Sequence, residues 1–179
     1  MSLRMLCVFA FAAASGVAQA AMTADAIEKL PPAQIEAALP GEHPAAYYEY
    51  AARLFSEGHK DESVVWFYVG QLRYRVHLLA TPDLDPSGDP ALFASLNASI
   101  GQTINEYAGG SVRGWVTAIE TALKWDKEHP NGFTSKEKFK SEYESVRAGL
   151  QSMKMTLEND PAKIREQRKA NGLDNRGDQ

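Results

Sequence analysis

Cysteine is almost missing from this chain: 179 residues contain one, Cys7, and it sits among the first ten. No disulfide framework, thiol nucleophile or thiolate zinc site can be built from it, so the fold must rest on a hydrophobic core. A chain of this length can bury one. Excess positive charge is missing too. The formal net charge is −4, poorly suited to phosphate backbones, and no nucleic-acid partner is expected. There is no glycine-rich phosphate loop and no Gly-x-Ser-x-Gly elbow. The histidines His43, His59, His77 and His129 form no i,i+4 pair and no His-Glu-x-x-His motif, so zinc-enzyme chemistry has no visible footing. Neither a cofactor nor a catalytic residue is expected. Alternating apolar and polar stretches of strand type are absent as well.

The opening residues are an exception to the general polarity. "MSLRMLCVFAFAAASGVAQA" has a positive start at Arg4, an apolar stretch from Met5 to Ala14, and the small-x-small signal Ala18-Gln19-Ala20. That is the layout of a secretory leader, and its apolar run is too short to span a bilayer. The expected organisation is a leader at 1–20 cleaved near Ala20, one helical domain at 21–160, and a polar, frayed tail at 161–179. The leader carries one arginine and no acid, so its loss moves the net charge from −4 to −5. A periplasmic or secreted location follows, with no later transmembrane segment.

Behind the leader the apolar spacing is helical throughout. Helices are predicted over 23–39 with a break at Pro31-Pro32, over 44–57 ending at Gly58, and over 61–79. The loop "TPDLDPSGDP" separates these from a helix starting at Asp89-Pro90, a proposed N-cap and first-turn proline, and ending at Gly109-Gly110. Ser111 caps the next helix, which runs to His129. Thr134-x-x-Glu137 reads as a capping box. Phe139, Tyr143, Val146, Leu150, Met153 and Leu157 then write a narrow seam that more often packs inside its own bundle than in a homotypic coiled coil. The fold class is all-α, a compact helical bundle.

The stretches 44–57 and 61–79 are apolar on two sides, which places them in the middle of that bundle. "AAYYEYAARLFSEGHKDESVVWFYVGQLRYR" resembles one unit of the tetratricopeptide helix-turn-helix superfamily, with Ala51, Gly58, Ser63, Phe67 and Gly70 at its small, turn and aromatic positions. Arg75 departs from the closing proline of that pattern. The "WFYVGQLRYR" stretch and the "DPSGDP" loop also resemble a group of exported bacterial helical proteins. The superfamily resemblance implies binding of a protein or peptide rather than catalysis. On this reading Trp66, Gln71, Arg73, Arg75 and His77 are the partner-binding candidates. Trp66, Arg73 and His77 are expected at the water's edge. Gln71 and Arg75 are expected between the apolar stripes. A guanidinium there must find a carboxylate. Arg75 either clamps Asp83 or Asp85, or joins Gln71 in a groove that receives a partner's acid.

Two further chemistries have partial sequence support. Asp83, Asp85, Ser87 and Asp89 match the opening of a calcium loop, although Ala94 stands where its bidentate acid belongs; Asx turns explain the same residues. Scattered glutamates with Trp66 or Trp125 could line a cleft for cell-wall glycan or peptide, as a binding protein or hydrolase. The favoured function is a protein-interaction module, such as an inhibitor, an immunity protein or an envelope adaptor.

Overall fold

The computed structural model describes residues 22–177, which are α-helical and contain no strand. The expected leader lies outside them. Helix α1 (Ala24–Lys29) begins at Thr23, whose hydroxyl accepts the Ala26 N–H. Its end is held by Arg53, which donates to the carbonyls of Ile27 and Leu30 at 2.8 and 2.7 Å. After the proline break come α2 (Pro32–Ala38) and a short 3₁₀ turn, Leu39–Gly41.

Helices α3 (Ala45–Ser56) and α4 (Lys60–Ala80) form the central hairpin. The turn between them needs a left-handed residue, and Gly58 supplies φ 92°. Gly70 lets the helices meet: a Cβ there would stand 2.7 Å from the Cβ of Tyr47. Ser63 donates to the Ala51 carbonyl at 2.7 Å across the same seam. Helix α4 packs against α3 and against every later helix up to α8, so both its apolar faces are covered. Phe67, Leu72 and Val76 are completely buried.

The stretch from Asp89 to Ala108, read as one helix, is α5 (Asp89–Leu96), a π turn (Asn97–Gly101) and α6 (Gln102–Ala108). Asn97 sits at the break. Its amide donates to the Phe93 carbonyl, and its oxygen accepts from Gln71 at 3.2 Å and Tyr48 at 3.4 Å. Helix α7 (Val112–Glu128) starts at Ser111, which accepts the Gly114 N–H.

Helix α8 (Lys140–Asn159) starts later than a cap at Thr134 would place it. Asn131 takes the Phe133 and Thr134 N–H groups, while Ser135 takes that of Lys138. Tyr143, Val146, Leu150 and Leu157 of α8 are buried against the chain's own helices. The stretch read as a frayed tail contains α9 (Pro161–Ala170), capped by Asp160 through the Lys163 N–H. The residues after it fold back, and Arg176 lies over the Tyr107 ring, donating to the Tyr107 carbonyl at 2.8 Å.

Candidate functional site

The margin expected at water is inside. Trp66 is 5% exposed and packs on Tyr50 and Trp125, so it offers no platform for a sugar or peptide. Arg73 is 1% exposed. Its Nε donates to Asp126 Oδ1 at 3.0 Å, Nη1 to the Tyr47 hydroxyl at 2.6 Å, and Nη2 to the Pro130 carbonyl at 2.8 Å. Arg147 donates to the other Asp126 oxygen at 2.6 Å. Lys136 closes the cluster on the carbonyls of Asp126 and His129, its pKa pulled down by burial against the pull of Asp126. This network ties α4 to α7, to the turn before α8 through Lys136, and to α8 itself through Arg147. It is a clamp, but built on Arg73 rather than Arg75. Nothing in the local sequence marks Asp126, which comes from a helix 53 residues away.

Arg75 faces outward. It is exposed, its guanidinium lies 5.7 Å from the Phe93 ring centre, and among the described residues it pairs with no carboxylate. Asp83 and Asp85 are exposed on the loop, and Asp85 turns inward on itself to accept from Ser87 N and Oγ. Those two bonds hold its carboxyl below the usual range. With Gln71, Arg75 borders a groove of about 480 Å³ between α4, α5 and α8. Leu78, Phe93, Val146, Leu150 and Met153 make it apolar, while Gly149 leaves it open: no atom lies within 4 Å of where its Cβ would be.

The calcium set does not assemble, because Asp89 is engaged elsewhere. Gly88, not Asp89, stands at the N-cap of α5. The Asp89 carboxylate instead receives His77 Nε2 at 2.7 Å and His43 Nε2 at 3.2 Å, with the Tyr74 hydroxyl 3.3 Å away. Partial burial opposes its charge, but the hydrogen bonds from His77 and His43 outweigh this and keep its carboxyl below the usual range. His77, expected at water, is 8% exposed. His43 reads in sequence as punctuation before a proline. Neither histidine carries a signal of the other, since three separate chain segments meet here.

No family model matches the chain. It is 34% identical over 87 residues to an uncharacterised protein of Haemophilus influenzae; the match covers 49% of this chain and 34% of that one. The chain therefore spans about a third of the length of that relative. No solved structure matches. Among the described residues no helix is long and apolar enough to cross a membrane.

Proposed function

We propose that the chain is an exported, periplasmic interaction protein with a tetratricopeptide-like central hairpin. Its groove between α4, α5 and α8 takes an amphipathic helix of a partner protein. Apolar residues of that helix fill the space over Leu78, Val146 and Met153, and one acidic side chain meets Arg75. The observation that carries this reading is the Arg75 guanidinium, which lies over the Phe93 ring and pairs with no carboxylate among the described residues, on the lip of a mostly apolar trough. An exposed apolar groove with one polar anchor is the usual receptor for a helix with i, i+3, i+4 anchors. Gly149 adds support. A glycine inside a helix costs about 0.5–1 kcal/mol relative to alanine, yet here nothing packs against it, and what it provides is width. An inhibitor of a periplasmic enzyme and an envelope adaptor would both use such a surface.

The test is photocrosslinking from position Ser145, an exposed residue on the groove wall, in the exported chain. Gly149→Phe fills the trough and Arg75→Glu reverses its charge; both should leave stability within about 1 kcal/mol. A discrete adduct that both changes abolish supports the reading. It is overturned by an adduct that survives both, or by no adduct while soluble cell-wall fragments raise the melting temperature.

A further inference from the structure

We propose that His43, His77 and Asp89 bind a borderline transition-metal ion, Zn(II) or Cu(II), through two imidazole nitrogens and one carboxylate. One donor atom from each lies within 4.8 Å of the others. Metal–ligand bonds of about 2.0–2.2 Å put neighbouring donors roughly 3–3.5 Å apart, so side-chain rotations alone bring the three to an ion. The backbone that carries them is fixed by packing. His43 precedes α3, His77 is in the last turn of α4, and Asp89 opens α5.

The donor set selects the metal class. Two imidazoles with one carboxylate suit zinc or copper, and too few oxygens converge for calcium or magnesium. The surroundings suit it as well. The Phe133 ring stands edge-on to both imidazoles, at 4.9 Å from His43 and 5.0 Å from His77. That apolar wall limits water on one side, while side-chain exposures of 27% for His43 and 25% for Asp89 leave a way in. The Tyr74 hydroxyl steadies the carboxylate, as outer partners of metal ligands do.

The protons make the two histidines unequal. His43 Nδ1 accepts the Ala45 N–H at 3.1 Å, so its own proton sits on Nε2 and points at Asp89. Metal-bound histidines normally donate from the second nitrogen. His43 must therefore give up the Ala45 bond to coordinate. His77 has no such commitment at Nδ1. His77 and Asp89 are the stronger ligands and His43 the weaker third.

The experiment uses the untagged chain stripped with a chelator. Zn(II) competition against a chromogenic chelator should give one site per chain, and Cu(II) electron paramagnetic resonance should show coupling to two nitrogens. His77→Ala and Asp89→Asn should each weaken binding more than about tenfold, and His43→Ala less. His59→Ala, a change at an exposed histidine, should have no effect. The proposal falls if no stoichiometric binding occurs below about 100 μM metal, or if His59→Ala removes it. It falls equally if the ligand variants bind as wild type. Should those variants unfold, Cu(II) broadening of the ring protons in the wild-type chain decides: loss at His43 and His77 supports the site, and loss at His59 alone refutes it.

Discussion

Arg73 reaches its position with almost no contact with water, and every one of its nitrogens is accounted for by Asp126, Tyr47 and two carbonyls of the His129-Pro130 corner. Removing one partner of such a pair strands a charge that cannot be resolvated, at a cost of about 3–5 kcal/mol. Asp126→Ala is therefore expected to be among the most damaging single changes in the chain, read by urea denaturation. Arg73→Met with Asp126→Asn in a double-mutant cycle should give a coupling energy above about 1 kcal/mol. Near-additive losses would show that Arg147 and Lys136, not Arg73, hold Asp126. The periodicity of 61–79 correctly puts Phe67, Leu72 and Val76 in the interior. It does not tell Arg73 from Arg75, because a helix apolar nearly all round has no polar stripe to orient it. The choice is made by where Asp126 arrives, which is a property of α7.

The helices themselves are legible wherever the signal is local. Ser111 caps α7 and Gly58 closes α3, each through its own backbone or hydroxyl. Reading fails where a second side chain, near or far in sequence, competes for the same group. Asn131 takes the Thr134 N–H, the Glu137 carboxylate accepts from the Ser135 hydroxyl instead, and the buried Thr134 hydroxyl has no partner, so the capping box at 134–137 does not form. Asn97, gripped by Gln71 and Tyr48, sits where the long helix expected from Asp89 onward breaks into a π turn. The groove is legible in part: Gln71 and Arg75 can be paired from spacing, but the far wall is α8. Two identical substitutions in these helices should have opposite signs. Gly70→Ala gains helix propensity yet drives a Cβ to 2.7 Å from the Tyr47 Cβ, an atom fixed to backbone that cannot rotate away. Overpacking of that kind costs about 1–3 kcal/mol, so the melting temperature should fall. Gly149→Ala meets nothing and should raise stability by about 0.5–1 kcal/mol. If Gly70→Ala stabilises, the α3–α4 contact is looser than described.

The core taken together is a tyrosine core. The chain has seven tyrosines, and Tyr47, Tyr48, Tyr50, Tyr68, Tyr74 and Tyr143 are all buried. Their hydroxyls find Leu39, Asn97, Glu36, Asn105, Asp89 and Thr134 and so join elements from α2 to α8. Burial raises the pKa of each; Tyr143 is pushed up to about 12 and the other five further. Tyr107 is raised as well, by partial burial and by its bond to Asp61. In the unfolded chain a tyrosine ionises near pH 10. The folded values lie above that, so the stability linked to these groups is fully present below pH 10. It is lost as pH rises through 10 toward 12 and beyond, because the unfolded chain then binds fewer protons than the folded one. Several groups act together, so the loss should be steep. Phenolate absorbance at 295 nm should stay low past pH 10 and then rise in one step, together with the loss of helical circular dichroism. A gradual phenolate titration centred near pH 10, with the helices intact, would mean that these rings reach water and that the bundle is not sealed around α3 and α4.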